Sequence, residues 1–133
     1  MLKEILSISG KPGLQKLISN SSNAIIVESL LDGKRFPAYS NSKIIALEDI
    51  SIYTENEDMP LKEVFQRMFT KENGQTAISH KEPTEKILAY FEEIVPEYDK
   101  ERVYTSDMKK IVQWYNLLVS KGMLQLEEEK KQE

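Results

Sequence analysis

The sequence predicts an α+β protein in which a small SH3-like or Sm-like β-barrel precedes a three-helix bundle. Three observations carry that prediction. Residues 24–54 hold a hairpin signature and further short runs rich in Ile, Val and Leu, with period-two alternation at the end. From Pro60 onward, apolar residues recur at three- and four-residue spacing, the period of a helix. Between them lies the acidic stretch Glu55-Asn56-Glu57-Asp58, read as a linker. The expected domains are a barrel over 1–56, a helical domain over 57–126 and a solvated charged tail over 127–133.

Leu2 to Ile8 fits either a short helix or a first strand. Ser9-Gly10-Lys11-Pro12-Gly13 is a loop by composition, and Leu14, Leu17 and Ile18 form a short strand ending in Ser19-Asn20-Ser21-Ser22-Asn23. Ala24 to Leu31 then runs into Asp32-Gly33, two residues that tolerate positive φ, and returns through Lys34 to Tyr39. A two-residue turn there sets Leu31 opposite Lys34, Leu30 opposite Arg35, Ser29 opposite Phe36, Val27 opposite Ala38 and Ile26 opposite Tyr39. One face carries Ile25, Val27, Ser29, Leu31, Phe36 and Ala38, the expected core. The other carries Ile26, Glu28, Leu30, Arg35, Pro37 and Tyr39. Pro37 has no N–H for a ladder, so its strand belongs at an edge or a bulge. Beyond a turn at Ser40-Asn41-Ser42-Lys43, strands from Ile44 to Leu47 and from Ile50 to Thr54 flank a tight Glu48-Asp49 turn and complete the barrel.

Pro60 suits a helix start because its missing N–H would be unpaired there anyway. Leu61, Val64, Phe65, Met68 and Phe69 form the first stripe, which stops at Glu72-Asn73-Gly74-Gln75. A second helix, from Thr84 to Val95, buries Ile87, Leu88, Phe91, Ile94 and Val95 and ends before Pro96. The third starts at an N-cap on Thr105 or Ser106, with Asp107 at its positive end, and stops at Gly122. Its stripe of Met108, Ile111, Val112, Tyr115, Leu118 and Val119 is widened by Trp114 and Leu117, so this helix is expected to be covered on two sides.

Composition narrows the chemistry. A chain of 133 residues with 40% hydrophobic and 30% charged residues can build a packed core. It has no Cys, which removes disulfides, thiolate nucleophiles and Cys-based metal sites. The start, MLKEILSISGKPG, is too short and polar in its apolar run for a signal peptide or spanning helix, so a cytoplasmic protein off the membrane is expected. Residues 1–54 carry six basic and five acidic side chains, residues 55–133 twelve and seventeen. Only the first part could offer a small basic surface to nucleic acid.

His80, the single histidine, has only Glu82 nearby in sequence to orient it, too little for a general base or a metal site. The Ser9 to Gly13 loop lacks the spacing of a phosphate-binding loop and leads into a strand, whereas a phosphate cradle needs a helix N-terminus. Glu92-Glu93 diverge around a helix, and Glu48-Asp49 lack further ligands. No catalytic residue, metal site or cofactor is therefore expected. The second hairpin face is more informative, because Ile26, Leu30 and Tyr39 are large apolar side chains on a face that water would normally make polar, with Arg35 among them.

The segments ILSISGKPGL, IVESLLDGKRFPAY, LEDISIYT, PLKEVF and ERVYTSDMKKIVQWYN resemble the signature blocks of a family of uncharacterised bacterial proteins across nearly the whole chain. The resemblance implies a small N-terminal β domain joined to a helical domain of unknown function, with no activity or ligand to carry over. The leading expectation is a non-enzymatic adaptor contacting an unknown protein partner through Ile26, Leu30, Arg35 and Tyr39. The alternative is an RNA-binding regulator using Lys34, Arg35, Tyr39 and Lys43.

Overall fold

The computed structural model describes residues 4–11, 13–20, 22–39 and 43–124. The predicted turn at Ser40-Asn41-Ser42 and the charged tail over 127–133 lie outside them, as do Leu2, Pro12 and Ser21. Two compact units divide the chain, Met1–Ile50 and Ser51–Glu133.

The first unit is a five-stranded antiparallel sheet: β1 (Ile5–Ile8), β2 (Gln15–Asn20), β3 (Ala24–Ser29), β4 (Arg35–Tyr39) and β5 (Ile44–Ala46), in the order β4-β3-β2-β1-β5. Among the described residues β4 and β5 do not pair, so the sheet is open where a closed barrel was expected. Leu6, Ile8, Val27 and Ala38 form its core, flanked by Leu17, Ile25, Phe36, Ile44 and Ala46. Alternation along each strand explains this set, since it takes every second residue. A bulge between Leu17 and Ser19 shifts the β2–β3 register by one residue.

The hairpin register differs from the predicted one. Val27 faces Phe36, Ile26 faces Pro37, Glu28 faces Arg35 and Ala24 faces Tyr39. Ser29 closes the ladder: its N–H donates to the Lys34 carbonyl at 2.9 Å and its carbonyl accepts from Gly33 at 2.9 Å. Leu30, Leu31, Asp32 and Gly33 thus make a four-residue loop, in which Gly33 takes the left-handed conformation at φ 76° and Asp32 does not. Side chains hold it, with Ser29 Oγ accepting the Leu31 N–H and Asp32 Oδ1 the Lys34 N–H. The Leu30 N–H donates to the Leu14 carbonyl at 2.9 Å. Because the slip is two residues, every strand side chain keeps its predicted face. Pro37 lies on β4, an edge strand, as its missing N–H requires.

The strand expected from Ile50 to Thr54 does not complete the sheet. A 3-10 turn at Leu47–Asp49 leads into the second unit, where β6 (Ser51–Ile52) pairs with β7 (Met59–Pro60). The acidic stretch from Glu55 to Asp58 is the turn of that ribbon. The chain beyond β6 is also stitched to the segment after the second helix, through a Thr54–Tyr98 bridge and bonds from Glu55 N–H to Glu97 O and Asp99 N–H to Tyr53 O.

Three helices follow: α1 (Leu61–Lys71), α2 (Thr84–Ile94) and α3 (Thr105–Ser120). Leu61, Val64, Phe65 and Met68 of α1 are buried, as are Met108, Ile111, Val112, Tyr115 and Leu118 of α3. On α2 the buried set is Ile87, Tyr90, Phe91 and Ile94, with Leu88 only half-buried. Tyr90 goes inside because its hydroxyl has a partner, donating to Glu72 Oε2 at 2.6 Å. The α3 N-cap is Tyr104, ahead of the predicted Thr105 or Ser106, and its N–H donates to Asp107 Oδ2 at 3.1 Å.

Candidate interaction surfaces

The outer face of the hairpin carries Ala24, Ile26 and Glu28 from β3 beside Arg35, Pro37 and Tyr39 from β4. Ile26 is half-buried against Pro37, and Tyr39 is 54% exposed at the far end of the strand from the loop. Arg35 Nε donates to Glu28 Oε1 at 2.9 Å directly across the ladder, so this cation is paired within the face. Leu30 departs from prediction: it sits in the loop with 6% of its surface exposed, and cannot serve as an exposed anchor. Its neighbour Leu31 is 48% exposed and lies against Gly13, where a Cβ would meet Leu31 Cγ at 2.7 Å.

The residues of the RNA reading are not brought together along the hairpin. Lys34 is exposed at the loop end, whereas Tyr39 lies five residues away, about 16 Å along an extended strand. Lys43, also exposed, accepts the Ser9 N–H on its carbonyl. Phe36 packs on the core while Lys11 Nζ stands 4.8 Å over its ring. Lys11 belongs to the loop that superficially resembles a phosphate cradle, and that loop leads into β2 and not a helix.

The second unit holds polar clusters that periodicity could not reveal. Arg67 on α1 donates to Glu63, to both oxygens of Glu97 and to the Ile94 carbonyl at the end of α2. The Glu97 carboxyl is held below its ordinary value chiefly by the Arg67 hydrogen bond, and Arg67 is raised by the same bond. A groove of about 900 Å³ lined by Glu63, Arg67, Lys71 and Glu93 runs beside it. Its charges are matched in pairs, with Lys71 Nζ 3.3 Å from Glu93. The Tyr90 hydroxyl is pushed above the ordinary tyrosine range by burial and by Glu72, and burial pushes Tyr115 up to about 12. Tyr115 donates to the Gln75 carbonyl, and the Asn116 amide takes the Ala77 N–H and gives to the Ile78 carbonyl. These groups brace the α1–α2 connection. His80 lies half-buried within it.

A second exposed cluster surrounds Arg102. Its Cζ lies 4.1 Å from the Tyr53 ring centroid and its Nε donates to Asp99 Oδ2 at 2.9 Å. Tyr53 and Tyr104 are 43% and 64% exposed. Asp99 is held below its ordinary value first by the Glu101 N–H and then by Arg102. Among the described residues no group of three or more His, Cys, Asp or Glu side chains is arranged to hold a metal ion. No helix among them is long and apolar enough to cross a membrane.

An open antiparallel sheet and a ribbon-capped set of three helices define a two-unit α+β protein with exposed aromatic and arginine surfaces on both units. The chain belongs to the family described as Domain of unknown function (DUF6852), which matches residues 50–118, just over half of its length. Residues 2–47 match a second family, Domain of unknown function (DUF5606). The two matches correspond closely to the two compact units. A protein from Bacteroides vulgatus, solved by solution NMR as a Northeast Structural Genomics Consortium target, is 48% identical with a TM-score of 0.77, over 95% of this chain and 91% of that one. None of the curated proteins matches the chain.

Proposed function

We propose that this protein is a non-enzymatic adaptor of the cytoplasm whose sheet unit binds a folded protein partner through the outer face of the β3–β4 hairpin. The observation that carries the reading is Tyr39, a large aromatic side chain 54% exposed on a face that also offers Ile26 and Pro37. Tyrosine and arginine are favoured anchors of protein interfaces. Arg35 and Glu28 neutralise one another, so the face lacks the concentrated positive field that RNA binding needs and suits a partner surface of mixed, near-neutral character.

Approach to the face is favoured over pairing along the edge. The Ser29 N–H donates to the Lys34 carbonyl, so by alternation Phe36 and Ala38 also point their backbone groups at β3. Arg35, Pro37 and Tyr39 point theirs outward, and Pro37 has no N–H to give an added strand. The strand order, with β5 returning beside β1 after a meander from β1 to β4, supports reading the sheet as a partly opened barrel of the SH3-like kind.

The test is capture from native lysate by the wild type and by an Arg35→Glu/Tyr39→Ala variant, each with and without ribonuclease. The captured protein is then purified and titrated against both chains by calorimetry. A direct protein complex that survives ribonuclease and weakens about tenfold or more in the variant is the expected result. Equal binding by both chains, or RNA as the captured species, would overturn the reading.

A further inference from the structure

The geometry points to a carboxylate-binding surface on the second unit, in which the free edge of the Arg102 guanidinium, held over Tyr53, receives an acidic side chain of a peptide segment in a protein partner. Its construction explains why this arginine, of the three in contact with acids, is the one prepared for a ligand. Arg67 spends its Nη atoms on Glu63, Glu97 and the Ile94 carbonyl. Arg35 has Glu28 at its Nε and 60% of its side chain exposed, and among the described residues no ring lies beneath it. Arg102 is fixed from two sides: Asp99 Oδ2 takes its Nε, and the Tyr53 ring lies 4.1 Å from its Cζ.

The clamp is itself fixed. Asp99 Oδ1 accepts the Glu101 N–H at 2.9 Å, and the Asp99 carbonyl accepts the N–H groups of Arg102 and Val103. The Asp99 N–H in turn donates to the Tyr53 carbonyl at 2.9 Å, so the ring and the carboxylate that hold the guanidinium are joined through the backbone. Among the described residues, the Arg102 Nη atoms donate to nothing, and 56% of the side chain is exposed. A guanidinium edge of parallel N–H groups matches the two oxygens of a carboxylate. Because its orientation is already set, a ligand meets a smaller ordering cost there than at a free arginine.

Charge selects among the anions that fit. Asp99 and Asp58 both act on Arg102, and Glu101 adjoins it in sequence, while Lys100 is turned toward Tyr98 with its Nζ 5.2 Å from the ring. A dianionic phosphate would meet acidic surroundings that a singly charged carboxylate tolerates better. Tyr53, whose ring lies against the guanidinium and stays 43% exposed, offers apolar surface for a side chain beside that carboxylate. The surface therefore fits a segment that brings a single carboxylate with an aliphatic residue beside it. This inference concerns the second unit alone and does not rest on the hairpin reading.

The experiment is an NMR titration of the full isotope-labelled chain with a blocked Gln-Leu-Glu peptide, its Gln-Leu-Gln counterpart, and sodium sulfate at matched ionic strength. Saturable shifts at the Arg102 Nε–H and at the amides of Tyr53 and Tyr104, produced by the Glu peptide alone, are expected. Arg102→Lys keeps the charge but loses the planar edge and should weaken binding about tenfold, as should Tyr53→Leu, whereas Arg35→Gln should leave it unchanged. Arg102 is exposed, so its replacement leaves the fold intact and the comparison clean. Shifts that do not saturate, equal shifts with sulfate, or an Arg102→Lys chain that binds like the wild type would each overturn the proposal.

Discussion

Replacing Asn116 by Ala should destabilise the helical unit by about 2–3 kcal/mol. The side chain makes two bonds to the connection between α1 and α2: Oδ1 accepts the Ala77 N–H at 2.6 Å, and Nδ2 donates to the Ile78 carbonyl at 2.9 Å. A net hydrogen bond contributes about 1 kcal/mol, and a backbone group left unpaired in a half-buried place adds to the loss. With a denaturant slope of about 1–2 kcal/mol/M for a unit of this size, the urea midpoint of the helical circular dichroism signal should fall by about 1–3 M. Tyr115→Phe keeps the buried ring and removes only the bond to the Gln75 carbonyl, so it should cost about 1 kcal/mol. Since both residues hold one strap, the double variant should lose less than the sum. Hydrogen exchange at the Ala77 amide reads the same bond locally. An Ala77 amide that exchanges as fast in the wild type as in Asn116→Ala, with unchanged midpoints, would refute the reasoning.

Gly13→Ala should destabilise the sheet unit by about 1–2 kcal/mol, since φ is 67° there and the new Cβ would press on Leu31. Adding Leu31→Ala should remove the steric part and leave the backbone part, a difference readable by thermal unfolding. The Arg67–Glu97 bond lowers the folded pKa of Glu97, so its stabilisation is present above the ordinary value of 4.5 and is lost as pH falls through the folded value. Both side chains are a third exposed, which limits the gain to about 1 kcal/mol. The stability gap between wild type and Arg67→Met should therefore narrow as pH falls, and a gap independent of pH would contradict it. Tyr90, Tyr98 and Tyr115 all have raised values, chiefly through burial. Their contribution is full below the ordinary value of 10.0 and is lost as pH rises through the folded values. An ultraviolet titration should find these three of the six tyrosines unionised until the chain unfolds at high pH.

The helices were legible because their stripes state both the period and the buried face. Leu61, Val64, Phe65 and Met68 are inside as spaced, whereas Phe69 and Val119 at the stripe ends are only half-buried; Tyr90 escaped notice, since its burial depends on Glu72, eighteen residues away. The hairpin faces were also legible, although its register was not. Asp32-Gly33 suggested the shortest loop, yet the Ser29 and Asp32 side chains bond loop N–H groups in their own way, and Leu30 turns inward with its N–H on the Leu14 carbonyl. That interaction is invisible to a local pattern. The ribbon was missed because two-residue strands show no alternation to read. Of the proposed hairpin anchors, Tyr39 is exposed and Ile26 half-buried, while the buried Leu30 follows directly from the longer loop. The Arg102 cluster has no sequence signal, because its parts meet only when the Tyr53 backbone lies beside Asp99.

The bonds that fasten the α1–α2 connection also bear on how the helical unit is made. They join residues 38 to 40 positions apart, and all of them wait on α3. Contacts of such separation form only after long stretches of chain have been brought together. On a translating ribosome α1 and α2 emerge first, with Phe65 lacking the Tyr115 ring that packs beside it in the finished unit. For that interval their apolar stripes are exposed, which makes the nascent helix pair the point in the protein's life at which a chaperone has the most to cover.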